Sequence, residues 1–103
     1  MQQCTKQCTK QCTKGDNKHF DDLTQSDQEK VLAWIKANIL PRKTPLLSRS
    51  SYGMKHILQY QIGIYLSNNQ FKEAMLNCGF KPIKEQELNW RFCISKKSPA
   101  FHF

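Results

Sequence analysis

Residues Ser50 to Ser95 read SSYGMKHILQYQIGIYLSNNQFKEAMLNCGFKPIKEQELNWRFCIS, and within that run Leu66-Ser67-Asn68-Asn69-Gln70-Phe71 decides the fold. Ser67 fits a helix N-cap, and Gln70 stands three residues on, where its side chain can close a capping box. Leu66 and Phe71 flank that box at the spacing of a hydrophobic staple. The helix that follows places Phe71, Ala74, Met75 and Cys78 on one stripe at i, i+3, i+4 and i+7. Gly79 ends it, because glycine takes the left-handed conformation that a helix C-terminus favours. Further on, Trp90, Phe92 and Ile94 alternate with Arg91, Cys93 and Ser95, the pattern of a strand with one buried face.

Working outward, a second helix precedes this one. It is capped by Ser50 or Ser51, runs from Tyr52 to about Gln61 and stops at Gly63. Ile64-Tyr65-Leu66 between the two reads either as an extended turn or as a short strand, longer than the turn of a tight helix-turn-helix. A first helix is expected from Ser26, with Glu29 completing its box and Asp27 near the positive end of its dipole. Val31, Leu32, Ile35 and Ile39 form its buried stripe, Trp34 lies at the edge, and Pro41 stops it. After the third helix, Phe80–Lys84 and Asn89–Ser95 read as two strands joined by Glu85–Leu88, with Pro82 marking the first as an edge. The expected fold is mainly α with a small β-hairpin: a winged helix-turn-helix of three helices plus a wing.

The chain has 103 residues and a formal net charge of +8, room for one domain and some tail. The organisation read from it is a repeat tail and linker over 1–20, the winged-helix domain over 21–97 and a C-terminal tail over 98–103. Residues 3–14 repeat Gln-Cys-Thr-Lys three times without deviation. Cys4, Cys8 and Cys12, with His19, would be ligands on a metal reading. The repeat lacks the paired Cys-x-x-Cys knuckles of zinc sites, so a low-complexity tail without metal is expected. Gly15–Thr24 reads as a polar linker with Phe20 and Leu23 as anchors. Five cysteines in a chain without a signal-peptide pattern imply no disulfide framework, and Cys78 and Cys93 read as small packing residues. No apolar run approaches the roughly 20 residues of a membrane span, so a cytoplasmic location without membrane contact is expected.

The charge is unevenly spread. Residues 21–40 carry four acids against two lysines, whereas 41–103 carry ten bases against three acids. An excess on the candidate reading half is the electrostatic footprint that phosphate requires. With the apolar stripe of the third helix inward, Asn69, Gln70, Glu73 and Asn77 are expected outward, flanked by Lys72. Amide side chains pair with adenine edges in a major groove and lysine with guanine or phosphate. Lys81, Lys84, Arg91, Lys96 and Lys97 would grip phosphates from the wing. Arg42 and Lys43 lie in the basic loop before the second helix. Arg49 and Ser51 stand at that helix's start, which reads equally as an anion site or as simple capping. Asp21 and Asp22, with Phe101 and Phe103, are the groups least suited to phosphate and are assigned to a protein partner. Folding back onto the domain is the other reading of the two phenylalanines.

No catalytic constellation is present. His19, His56 and His102 are scattered, and the chain has no phosphate-cradling loop and no nucleophile elbow. Neither an enzyme nor a cofactor is expected.

Leu40-Pro41-Arg42-Lys43-Thr44, Ser51-Tyr52-Gly53-Met54-Lys55-His56, Gly63-Ile64-Tyr65-Leu66-Ser67-Asn68, Phe71-Lys72-Glu73-Ala74-Met75 and Leu88-Asn89-Trp90 carry a resemblance over residues 26–97. The chain resembles small proteins of phages and integrated mobile elements of Gram-positive bacteria. It is also similar to the winged-helix module at the C-terminus of phage and plasmid primase-helicases. The resemblance implies binding of single- or double-stranded DNA and an accessory role in mobile-element replication beside a polymerase, primase or helicase. A transcriptional regulator of the element, or a small inhibitor of a host defence protein, remain alternative readings.

Overall fold

Three amphipathic segments form three α-helices in the computed structural model, which describes residues 16–102. A single 3₁₀ turn, Phe20–Asp22, leads into α1 (Gln25–Asn38), α2 (Ser51–Ile62) and α3 (Asn68–Asn77), and a second, Pro99–Phe101, closes the described chain. Helix α3 packs on both α1 and α2. The molecule is mainly helical, and no helix among the described residues is long and apolar enough to cross a membrane.

The third helix begins as its sequence dictates. The Ser67 side chain accepts from the Gln70 amide at 3.1 Å, and Gln70 Oε1 accepts from the Ser67 amide at 2.9 Å. Each satisfies a backbone donor that the first helical turn leaves without an intrahelical partner. Gly63 (φ +74°) and Gly79 (φ +91°) take the left-handed conformation after α2 and α3, a region that a Cβ disfavours.

Helix α1 departs from expectation at its start. Its cap is Thr24, whose hydroxyl accepts from the Asp27 amide at 3.1 Å, rather than Ser26. Thr24 has the same three-residue reach to the Asp27 amide, and the anchors Phe20 and Leu23 bring the chain to its turning point there. Trp34 is not at the edge of the stripe but in the core, 6 % exposed. Its indole N–H, which burial would otherwise leave without a partner, donates to Gln61 Oε1 at 2.8 Å.

The core gathers Val31, Trp34, Ile35 and Ile39 from α1, Met54 and Leu58 from α2, and Phe71, Ala74 and Met75 from α3. Trp90, Phe92 and Ile94 close it from the C-terminal side while Arg91, Cys93 and Ser95 remain half-buried, so the expected alternation is present.

The hairpin is not. Among the described residues there is no β-strand, only isolated antiparallel bridges pairing Pro41 with Ile94 and Pro82 with Phe92. Residues 90–95 run between two extended segments. Leu46 and Arg42 donate to the carbonyls of Phe92 and Cys93 on one side, and Ile83 to Arg91 on the other. Each flanking segment bridges this central one at a proline, Pro41 or Pro82, which takes a non-hydrogen-bonded position of the pair, and the bonds come from neighbouring amides: Arg42 and Ile83 to the central carbonyls, and Ser95 to the Leu40 carbonyl. Ile64-Tyr65-Leu66 forms no strand either and is the extended connection between α2 and α3.

Candidate nucleic-acid interface

The amide-rich start of α3 is covered by the chain's own N-terminal segment. Asp16 Oδ2 accepts from the Asn69 amide at 2.9 Å, and Asn69 Nδ2 donates to the Lys18 carbonyl at 2.6 Å. Gln70 Nε2 donates to the His19 carbonyl at 3.1 Å. Glu73 takes the Phe20 amide with one carboxylate oxygen and pairs the other with His19 Nδ1 at 2.9 Å. The Glu73 hydrogen bond and charge raise the His19 pKa against the opposing effect of burial, with Asp22 and Asp16 adding to the rise. Phe20 follows into the core, so the folded unit reaches back to Asp16.

This corrects the expected recognition face. Asn69 is 7 % and Gln70 5 % exposed, and Lys72 is 2 % exposed with its ammonium 4.9 Å from the centre of the Trp90 ring. Glu73 is half-buried, and only Asn77, in the last turn, stands exposed. The stripe assumed to face water lies on a helix buried nearly all round its first two turns. The cause is a segment, Asp16–Phe20, whose carbonyls and carboxylate complement the amides of α3.

Ser51 is corrected as well. It is fully buried, accepts from the Trp90 amide at 3.0 Å and donates to Asn68 Oδ1 at 2.8 Å, while its own amide donates to the Trp90 carbonyl at 2.8 Å. Asn68 in turn donates to the Leu88 carbonyl and to Asn89 Oδ1. The network welds the start of α2, the start of α3 and the 88–90 segment together. It leaves the Ser51 hydroxyl and amide without capacity for an anion.

The three arginines brace loops. Arg42 donates to the carbonyls of Thr44 and Pro45, and Arg91 donates to the Leu47 carbonyl and lies 3.7 Å from Glu87. Arg49 stacks over the Phe101 ring at 4.6 Å. Phe101 is half-buried against the core, so it folds back rather than projecting as a hook; Phe103, like the Cys4, Cys8 and Cys12 repeat, lies outside the described residues. Asp21 and Asp22 are exposed, and Asp22 also accepts from the His19 amide at 2.9 Å.

What stays open to phosphate is a set of lysines. Lys43, Lys81, Lys84, Lys96 and Lys97 are exposed, and their ammonium groups make no hydrogen bond or ion pair among the described residues. Lys43 comes from the loop after α1, Lys81 and Lys84 from the segment beyond Gly79, and Lys96 and Lys97 from the end of the central extended segment. Arg91 and Lys84, with Leu47, Ile83 and Glu87, also line a shallow depression of about 330 Å³.

An aromatic and cationic cluster on and beside α2 lies outside the residues that the sequence marks for phosphate or bases. Tyr52, Tyr60 and Tyr65 are 52 %, 79 % and 58 % exposed. The Lys55 ammonium lies 5.1 Å from the Tyr52 ring centre and 5.0 Å from that of Tyr65, and Lys18 lies 5.9 Å from Tyr65. Burial lowers the Lys55 pKa, and the charge of Asp16 partly offsets it. The signal was present: Tyr52, His56 and Tyr60 recur at i, i+4 and i+8 on the face opposite Met54 and Leu58.

Cys78 and Cys93 are free thiols, half-buried; burial pushes the Cys78 thiol up, against a smaller opposing effect of Lys36. Among the described residues no three His, Cys, Asp or Glu side chains are grouped to hold a metal. Compared with known proteins, the chain matches no family model, no curated protein and no solved structure.

Proposed function

We propose that the protein is a DNA-binding accessory factor for replication of a mobile element, built on a winged helix-turn-helix whose wing is reduced to paired extended segments. The observation that carries this reading is the set of five exposed lysines, Lys43, Lys81, Lys84, Lys96 and Lys97, with no intramolecular partner among the described residues. Lysines at such positions bind phosphate as point charges and contribute affinity without sequence information. The covered face of α3 favours the accessory role over an operator-reading regulator. With Asn69 and Gln70 held by the chain's own N-terminal segment, α3 has few amides for base edges. Such a module gains by acting beside a polymerase, primase or helicase, which raises its effective concentration on the template.

The test is the salt dependence of binding. Neutralising about five phosphates of duplex DNA gives a log–log slope of roughly −4 to −5, a loss of about 10²–10³ in affinity between 50 and 200 mM salt. Alanine at Lys81, Lys84, Lys96 and Lys97 should flatten the slope to about −1. Absence of binding to any DNA at 50 mM salt overturns the reading.

A further inference from the structure

The polar face of α2 carries aromatic rings where a soluble helix ordinarily carries charge. Tyr52, His56 and Tyr60 rise along one side of it, and Tyr65 from the connection to α3 reaches the same neighbourhood through Lys55, whose ammonium lies about equally far from the Tyr52 and Tyr65 rings. The His56 ring meets Tyr52 edge-on, centroids 4.7 Å apart. Three exposed tyrosines on one 12-residue helix and the five residues after it would ordinarily be an aggregation hazard. Here lysines are interleaved with them.

The charge setting points to the occupant. Between Glu29 and Glu73 the sequence contains no acidic residue, so none lies on α2 or in the connections on either side of it, and the cations beside the rings are Lys55 and Lys18. The acid whose charge reaches Lys55 is Asp16, and its carboxylate is turned onto the amides of Asn69 and Lys18. An aromatic face in a cationic, acid-poor setting suits a polyanion that also offers flat apolar rings, which describes a nucleic acid with its bases uncovered.

Geometry selects the strand form. Tyr52 and Tyr60, eight residues apart, are stepped by about 12 Å along the helix axis, well beyond the ~3.4 Å rise per nucleotide of a strand in a duplex. Rings at that pitch match bases drawn apart from one another. Duplex bases are stacked on their neighbours and present edges, not faces.

We infer that Tyr52, Tyr60 and Tyr65 form a stacking platform for single-stranded DNA, with the exposed Lys18 beside the Tyr65 ring to hold a phosphate and Lys55, only 5 % exposed, bracing the Tyr52 and Tyr65 rings. The inference rests on the DNA-binding reading above and deepens it: the lysines supply phosphate contacts, and the platform makes the protein prefer an unpaired strand. It also adds α2 to the contact surface formed by those lysines. A protein that meets DNA during replication meets such strands.

The full chain is titrated into fluorescein-labelled dT₂₀, a 20-bp duplex and rU₂₀, read by anisotropy. The expected result is tighter binding to dT₂₀ than to the duplex, with a loss of roughly 5- to 100-fold on dT₂₀ for Tyr52→Ala or Tyr65→Ala. Tyr52→Phe and Tyr65→Phe should retain binding, since stacking needs the ring and not the hydroxyl. Both tyrosines are more than half exposed, and a melting curve for each variant separates lost contact from lost fold. Equal affinity for dT₂₀ and duplex, with both alanine variants unchanged, overturns the platform while leaving phosphate-driven DNA binding in place. Tighter binding to rU₂₀ than to dT₂₀ overturns the assignment to DNA. No binding to any of the three overturns this inference and the DNA-binding reading together.

Discussion

Glu73 holds two donors of the N-terminal segment at once, the Phe20 amide and the His19 ring. The first needs only an ionised carboxylate, but the second depends on pH. Because the folded-state pKa of His19 is raised above its ordinary 6.5, chiefly by the Glu73 hydrogen bond, the extra hold is fully present below about pH 6.5. It is lost as pH rises through the folded value. An NMR titration of the His19 ring should therefore give a midpoint above 6.5, and Glu73→Gln should bring it down toward the ordinary value. The Phe20 amide should also exchange faster at pH 8 than at pH 6, relative to unrelated loop amides. A native midpoint at or below 6.5 would remove the pH-dependent part of the latch.

Helices α2 and α3 are joined to the 88–90 segment through Ser51 and Asn68, and this junction governs how rigidly the extended segment over 90–95 is held. Ser51→Ala leaves the buried Trp90 amide and Asn68 Oδ1 without a partner and should cost about 1–3 kcal/mol. Asn68→Ala releases the same hydroxyl and also the Leu88 carbonyl. The two variants act on one network, so urea unfolding of the double variant should show less than the sum of the single losses. Additive losses would mean that the two residues act independently. At this scale the sequence was legible where a rule is local. The capping box of α3, the glycine after α2 and the alternation of Trp90, Phe92 and Ile94 follow from neighbours a few residues apart. It was opaque where the partner is remote. Nothing near Asn69 or Gln70 announces that Asp16–His19, some fifty residues earlier, supplies their acceptors. Nothing around Ser51 distinguishes a helix cap from a hydroxyl buried against Trp90. The hairpin failed for a third reason: residues 90–95 are shared between two partners, residues 40–46 from before α2 and residues 82–83, and each pairing is reduced to an isolated bridge.

Charge divides the molecule as a whole. The 3₁₀ turn and the first turns of α1 carry Asp21, Asp22, Asp27 and Glu29, whereas the lysines proposed to face DNA come from the loop after α1 and from the residues beyond Gly79. Like charge keeps phosphate away from the acidic end, so on the proposed DNA-binding reading we assign that end to the protein partner. The C-terminal aromatic described in the structure is withdrawn from this role, because Arg49 covers the Phe101 ring and the core packs against it. Phe101→Ala should therefore lower thermal stability, and any loss of partner binding should follow the loss of fold. Asp21 is the cleaner probe. It is exposed and its carboxylate makes no bond among the described residues, whereas Asp22 caps the His19 amide. Asp21→Lys should leave the melting temperature unchanged and strengthen DNA binding slightly at 50 mM salt, with the gain fading as salt screens the added charge. The same change should weaken co-purification with the element's polymerase, primase or helicase. If the variant co-purifies as well as the native chain, the acidic end is not the partner surface. If the native chain runs as a homodimer protecting one palindromic site, the regulator reading takes its place.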